Sequence, residues 1–127
     1  MAEVGLRVTQ RRYVPHGAAH YGGGLVDGAY VLGLFGDAAT EICIRGDGDE
    51  GLLAGYADVR FVEPVRAGDV VEVVALVTRV GRRSRTVALT CVLVCRSASM
   101  GGGSAAVVLD PPVLAVVATA TVVIPGV

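Results

Sequence analysis

Residues 25–44 read LVDGAYVLGLFGDAATEICI. Their apolar side chains would surround nearly the whole circumference of a helix, and a helix of this kind must be buried. Three glycines, at positions 28, 33 and 36, interrupt the run, and each costs about 1 kcal/mol of helix propensity relative to Ala. We expect close approach of other backbone to offset that cost, from a sheet that wraps the helix or from a second helix packed against it.

The segments on both sides of this helix predict strands. Apolar and polar residues alternate over residues 6–11, before a turn at residues 14–17. After a polar hinge at residues 46–51, the chain is rich in Val, Thr and Ile, which favour a pleated, half-buried surface. The predicted strands are 53–61, 69–80, 85–95 and 113–124, with 106–109 as a candidate extension of the sheet and 97–104 as a flexible loop.

One buried helix after the first strand, followed by four antiparallel strands, predicts an α+β domain. In this arrangement a curved antiparallel sheet wraps around one long central helix, which is the outline of the hotdog fold. The chain has 127 residues, of which 53% are hydrophobic, and this suits one domain spanning residues 1–127.

Composition excludes several classes of function. The 11 basic residues, all of them Arg, nearly balance the 12 acidic ones, so we expect no basic stripe for a nucleic acid. Because the sequence contains no Lys, pyridoxal phosphate and lysine-imine chemistry are excluded. Two histidines and three cysteines without paired spacing argue against a metal site. We expect no cofactor and no metal.

The ends of the chain bear on its location. The N-terminus lacks the basic and apolar blocks of a signal peptide, and the apolar segment 112–124 is too short to span a bilayer. An odd number of cysteines fits a reducing compartment. We therefore expect a cytoplasmic protein that does not enter a membrane.

Several segments carry a resemblance to a known family. They are HYGGGLVDGA at 20–29, LFGDAATE at 34–41, DGDEGL at 47–52, VRFVEPVRAGD at 59–69, PPVL at 111–114 and ATA at 118–120. In them the chain resembles the hotdog-fold 3-aminobutyryl-CoA and β-alanyl-CoA ammonia-lyases, over nearly its whole length. Residues 61–69 are shared by hotdog proteins in general, whereas residues 20–41 point to the ammonia-lyases. At Ala18 the chain departs from the family, which has Asp there.

The resemblance implies reversible elimination of ammonia from a short β-aminoacyl-CoA, which gives an enoyl-CoA. Coenzyme A enters as part of the acyl-CoA substrate. The resemblance also implies a homodimer, with a trimer of dimers as a larger assembly. Three alternatives stay open on the same fold: hydrolysis of an acyl-CoA thioester, hydration of an enoyl-CoA, and acyl-CoA binding without catalysis.

Elimination of ammonia next to a thioester needs donors for the enolate oxygen. Backbone N–H groups in a glycine loop that opens a helix can stabilise such an oxyanion, although a plain turn is the alternative. The substrate-binding residues predicted on this basis are Tyr21, Gly22, Gly23, Gly24 and Leu25. His20 is a candidate for proton transfer or for a hydrogen bond to the thioester. Asp27, in the first helical turn, is interpreted as a carboxylate that stabilises the helix whatever the function.

The reaction also needs a base, and Asp37 and Glu41 are the candidate catalytic carboxylates. Their spacing puts them on one face of the helix. Inside an apolar wall they would hold a proton between them and supply one base and one acid; the alternative is an exposed or Arg-paired face. Asp37 lies about 18 Å along the helix axis from Leu25. We therefore predict an active site shared across a dimer.

A basic turn is the candidate site for the nucleotide end of coenzyme A. Residues 79–85 read RVGRRSR, and guanidinium groups bind phosphate through paired hydrogen bonds. The predicted CoA-binding residues are Arg79, Gly81, Arg82, Arg83, Ser84 and Arg85. The alternative is a solvated, charged hairpin tip.

Overall fold

The computed structural model describes residues 2–98 and 103–126, in which one long helix packs against a five-stranded antiparallel sheet. The elements are β1 (Arg7–Tyr13), α1 (Gly28–Asp47), β2 (Leu52–Phe61), β3 (Val70–Val80), β4 (Ser84–Ser97) and β5 (Ala106–Val123), with short 3-10 turns at His16–Ala18 and Gly22–Gly24. The strand order is β1-β3-β4-β5-β2. Because α1 contacts all five strands, both edges included, the sheet must curl around it. The predicted α+β fold is confirmed.

The ends of α1 follow from local capping. The helix begins at Gly28, later than predicted, because the Asp27 carboxylate accepts a hydrogen bond from the Tyr30 N–H at 3.0 Å and caps it. It ends at Asp47, after which Gly48 adopts a left-handed conformation with φ 65°. The interpretation of Asp27 as a carboxylate that stabilises the helix is confirmed.

Only part of the circumference of α1 is buried. Ala29, Gly33 and Asp37 lie on an exposed face, so the prediction of burial on all sides is wrong for this chain taken alone. The apolar residues on the opposite side form the core with the inner face of the sheet. The buried residues of α1 are Val31, Leu34, Phe35, Ala38, Ala39, Ile42 and Cys43.

The predicted strands are present, and the last two are longer than expected. Inward and outward side chains alternate along β3 and β4, with every second residue buried over most of each strand, as a sheet with one covered face requires. The candidate extension at residues 106–109 is the first part of β5, where it pairs with the end of β4. Of the predicted loop 97–104, residues 99–102 lie outside the described part of the chain.

The turn between β2 and β3 holds the glycine loop in place. Asp69 is fully buried, and its carboxylate accepts hydrogen bonds from the Arg96 guanidinium at 3.0 and 2.8 Å and from the Arg66 N–H at 2.8 Å. Arg66 forms an isolated bridge with Leu25. The Gly24 carbonyl, next to this bridge, accepts a hydrogen bond from the Ala67 N–H at 2.8 Å. A buried ion pair thus fixes the backbone against which the loop rests.

Within residues 2–98 and 103–126, no helix combines the length and apolar character needed to cross a bilayer. In the same ranges no group of three or more His, Cys, Asp or Glu side chains is placed to hold a metal ion.

Candidate active site

The glycine loop is a tight turn closed by its own backbone. The N–H groups of His20 and Tyr21 both donate to the Leu25 carbonyl, at 2.8 and 3.0 Å. Gly23 and Gly24 have φ values of 76° and 77°, a region that side-chain-bearing residues rarely adopt. A Cβ placed on either glycine would meet no described atom within 4 Å. The glycines are therefore required by backbone conformation, and the loop lies open to a ligand.

The loop does not lead directly into the helix, contrary to the prediction. Leu25 and Val26 lie between them, held by the bridge to Arg66 and by a hydrogen bond of 2.9 Å from the Val26 N–H to the Val65 carbonyl. The N-terminus of α1 is at Gly28. It lies near the glycine loop, because the loop and the start of the helix line the same cavity. Backbone N–H groups of the first helical turn have no partner within the helix, so the positive end of α1 still faces this region.

A cavity of about 360 Å³ lies between the glycine loop and the start of α1. This volume falls in the range of small-molecule sites. The Phe61 ring lies so close to Gly28 that a Cβ there would be 2.6 Å from the ring, which explains this glycine. The cavity is lined by Tyr21, Leu25, Val26, Asp27, Gly28, Val31, Phe61, Glu63, Pro64, Val65 and Val116. Its walls are mostly apolar, as an acyl chain requires.

Of the predicted substrate-binding residues, Tyr21 and Leu25 line this cavity, and Gly22–Gly24 connect them. Sequence reasoning missed Phe61, Glu63 and Val116. Glu63 belongs to the segment interpreted only as a mark of the fold, and its position just after β2, where the chain turns towards the glycine loop, was the available signal.

His20 lies at the rim of the site. Its Nδ1 atom is 3.9 Å from Oδ2 of Asp27, and its ring packs edge-on against Tyr21 with centroids 4.8 Å apart. The side chain is 59% exposed and does not line the cavity. His20 thus lies near the Asp27 carboxylate but outside the cavity.

The two candidate carboxylates of α1 lie in different surroundings. Glu41 accepts hydrogen bonds of 2.7 Å from the Gln10 amide and from the Arg45 guanidinium. These two hydrogen bonds, that of Gln10 first, lower the pKa of Glu41. In this chain Glu41 therefore has the Arg-paired surroundings of the alternative interpretation, because partners from β1 and from the next helical turn bind its carboxylate. Asp37 is exposed, and neither carboxylate lines the cavity of its own chain.

The basic turn between β3 and β4 separates into exposed and buried arginines. Arg79, Arg82 and Arg83 are exposed. Gly81 and Ser84 close the turn through a hydrogen bond of 2.8 Å from the Gly81 N–H to the Ser84 carbonyl. Three guanidinium groups are thus free to meet solvent or an anion at this tip.

Arg85 has a structural position, which corrects its assignment to coenzyme A. Its side chain is 1% exposed, and that of Asp47 is 5% exposed. Arg85 donates to Asp47 at 3.0 and 2.8 Å from Nε and Nη2, while Nη1 donates to the carbonyls of Gly81 and Ser84, both at 2.9 Å. Every nitrogen of the guanidinium has a partner inside the chain, so none is left for a phosphate.

The cavity and the basic turn lie at opposite ends of α1. The cavity lies at the N-terminus of α1, and the turn is tied by Arg85 to Asp47 at the C-terminus. A helix of 20 residues is about 30 Å long. Within one chain, the predicted CoA-binding arginines and the predicted acyl site are therefore far apart.

Comparison with known proteins identifies relatives of this chain. A family model described as the thioesterase superfamily matches residues 23–92. A 3-aminobutyryl-CoA ammonia lyase of Acetoanaerobium sticklandii is 47% identical over 107 residues, covering 84% of this chain and 85% of the relative. The β-alanyl-CoA:ammonia lyase from Clostridium propionicum is similar in structure, with a TM-score of 0.91 and 33% identity over 97% of this chain and 87% of that one.

A hexameric hotdog-fold thioesterase of Campylobacter jejuni matches with a TM-score of 0.71 and 19% identity, over 90% of this chain and 79% of the other. At that identity the likeness concerns the fold alone, and it confirms the predicted hotdog fold. The identity to the Acetoanaerobium protein, in contrast, is high enough to show the family to which the chain belongs. The chain therefore belongs to the thioesterase superfamily and, within it, to the family of the 3-aminobutyryl-CoA ammonia lyase.

Proposed function

We propose that this protein catalyses the reversible elimination of ammonia from a short β-aminoacyl-CoA to give an enoyl-CoA. The observation that carries the proposal is the similarity to two ammonia lyases along most of the chain. The site geometry is compatible with it, because an open glycine loop lies beside a mostly apolar cavity of acyl size. The substrate is an acyl-CoA, no other cofactor takes part, and the enzyme works in the cytoplasm.

The working unit in this proposal is a homodimer. β2 is an edge strand, and Leu52, Leu53 and Phe61 on it are 62%, 46% and 56% exposed, which is typical of a strand that pairs with another chain. The exposed face of α1 lies on the same side, since the Tyr56 hydroxyl on β2 donates a hydrogen bond of 2.7 Å to the carbonyl of Leu32, next to Gly33 on that face.

Gly33 supports the same interface. Its Cβ would meet no described atom within 4 Å, so the chain itself does not explain a glycine in mid-helix, whereas Phe61 explains Gly28. Close approach of a partner helix accounts for the cost of Gly33. The dimers assemble further into a trimer of dimers, which the family resemblance implies.

A partner helix that runs antiparallel completes the site. The C-terminal half of the partner's α1 then lies beside the N-terminal end of the first α1. It brings the exposed carboxylate at position 37 towards the cavity, together with the tip that carries Arg79, Arg82 and Arg83. The distance that separates these groups within one chain is removed by a second copy.

The reaction follows from these placements. Backbone N–H groups of the glycine loop hold the thioester oxygen and stabilise the enolate. The carboxylate of Asp37 from the second subunit takes the α-proton. The electron pair of that C–H bond moves onto the thioester oxygen to give the enolate, and then returns to form the double bond to the β-carbon as the C–N bond breaks, so that the substrate ammonium leaves as ammonia. His20 at the rim moves the proton on to solvent.

The test follows crotonyl-CoA with and without ammonium, with enoyl absorbance and free thiol recorded separately. Enoyl loss that requires ammonium, without thiol release, supports the lyase. Thiol release instead would favour a thioesterase, the second candidate, to which the superfamily match points. Enoyl loss without ammonium would favour a hydratase, and binding without turnover an acyl-CoA binding protein.

A further inference from the structure

The cavity beside the glycine loop has an unusual charge pattern. Its polar side chains are Tyr21, Asp27 and Glu63, and among the described residues no Arg or His lines it. Two carboxylates thus stand at the mouth of a mostly apolar cavity, with side chains that are 33% exposed for Asp27 and 43% exposed for Glu63. A positive charge inside the cavity would meet them directly, with less water between the charges than at an open surface.

The positive charges nearest to these carboxylates are already engaged. Arg96 Nη1 lies 3.7 Å from the Glu63 carboxylate, but its Nε and Nη2 atoms donate to Asp69, and Nη2 also to the Pro64 carbonyl. Hydrogen bonding to buried Asp69 is also the first cause of the raised pKa of Arg96. Arg96 is therefore committed to the turn, and most of its charge is balanced by Asp69.

The Asp27 carboxylate likewise has one oxygen that is hydrogen-bonded within the chain and one that is not. Its Oδ1 atom accepts the Tyr30 N–H at 3.0 Å, whereas Oδ2 has the His20 Nδ1 atom at 3.9 Å, which is beyond hydrogen-bond distance. One oxygen of Asp27 thus caps the helix, and the other remains available to a ligand in the cavity.

We propose that Glu63, assisted by Asp27, binds the positively charged ammonium group of the acyl chain and so selects β-aminoacyl thioesters over neutral ones. This inference rests on the proposed function and names the specificity-determining residues of its site. A neutral acyl chain would leave Glu63 with only the Arg96 charge that it shares with Asp69, and Oδ2 of Asp27 without a hydrogen-bond donor. An anionic chain would be repelled by both carboxylates.

Position 18 does not take part in this selection. Ala18 packs against the hydrophobic core and does not line the cavity. The carboxylates that line the cavity come from positions 27 and 63.

The experiment measures binding in an Asp37→Asn background, where removal of the proposed base keeps β-alanyl-CoA from being consumed. In that background, dissociation constants for β-alanyl-CoA and for propionyl-CoA, which lacks the amine, are compared by calorimetry on the otherwise wild-type protein, Glu63→Gln and Asp27→Asn. Asn caps helices about as well as Asp, so that variant keeps the helix start. The matched control is Glu72→Gln, which changes a carboxylate on β3 that pairs with Arg11 of β1.

We expect the wild type and Glu72→Gln to prefer β-alanyl-CoA. The preference should fall about tenfold in Glu63→Gln and by a smaller factor in Asp27→Asn, while propionyl-CoA affinity stays the same or improves. An unchanged preference in a folded Glu63→Gln would overturn the inference, and the same preference lost only in Asp27→Asn would assign selection to Asp27. If ammonia-lyase turnover persists while the preference ignores both positions, the proposed function stands and this inference fails. If the wild type shows the preference without turnover, this inference stands and the proposed function fails.

Discussion

Replacement of Arg85 by Met removes one partner of a buried ion pair. The Arg85 and Asp47 side chains are 1% and 5% exposed and share two hydrogen bonds of 3.0 and 2.8 Å. In Arg85→Met the Asp47 carboxylate keeps only the Ala2 N–H at 3.1 Å. Breaking a buried pair in this way costs about 3–5 kcal/mol, and for a domain of this size that lowers Tm by about 10–20 °C.

The assay is thermal unfolding at fixed protein concentration, since oligomers melt in a concentration-dependent way. Arg82→Met, an exposed arginine of the same turn, is the matched control and should change stability by less than about 0.5 kcal/mol. The double variant Arg85→Met with Asp47→Leu should recover much of the loss, because no unpaired charge is then buried. An Arg85→Met protein with wild-type Tm and a raised KM for the CoA thioester would refute the structural role and restore the phosphate-binding one.

The same pair gives a pH dependence. Hydrogen bonding to Arg85 is the main cause that lowers the pKa of Asp47 below its ordinary value of 3.8. A lowered pKa in the folded state means that the stabilisation is complete above the unfolded pKa and is lost as the pH falls through the folded one. The stability difference between wild type and Arg85→Met should therefore shrink below about pH 4. A difference that grows on acidification would contradict the assignment.

Three further outcomes are expected. Asp37→Asn should lower kcat at least about 100-fold, because removal of a general base has this order of effect, and should leave Tm unchanged, because Asp37 is exposed. Glu41→Gln should change kcat far less. Steady-state kinetics that show no loss in either variant would exclude both residues as the base. Gly33→Leu should leave the chain folded but dissociate the dimer in analytical ultracentrifugation, because nothing in the described chain occupies that space; an intact dimer would remove α1 from the interface. Replacement of Arg82 and Arg83 by Ser should raise KM for the CoA thioester and leave kcat and Tm near wild type, and equal KM values would return this tip to a solvated hairpin.

The sequence predicted the elements well because their signals are local. The apolar run of α1 and the Val-rich strands are recognised from periodicity within each segment, and the start of α1 was missed by a few residues because the cap at Asp27 competes with the apolar pattern before it. Of the predicted substrate-binding residues, Tyr21 and Leu25 line the cavity, and their role there stays a prediction. Glu63 was missed because its contribution depends on a turn folding back onto the glycine loop.

The sequence by itself determined the α+β layout, the glycine loop and the exclusion of lysine chemistry, since these depend on neighbouring residues or on composition. Only the tertiary structure decided what each charged side chain does. Arg85 and Asp47 are 38 residues apart in sequence and Gln10 and Glu41 are 31 apart, and no local pattern reveals such pairings. A charge is structural or available to a ligand according to its burial and its partner, and both are set by packing between distant segments.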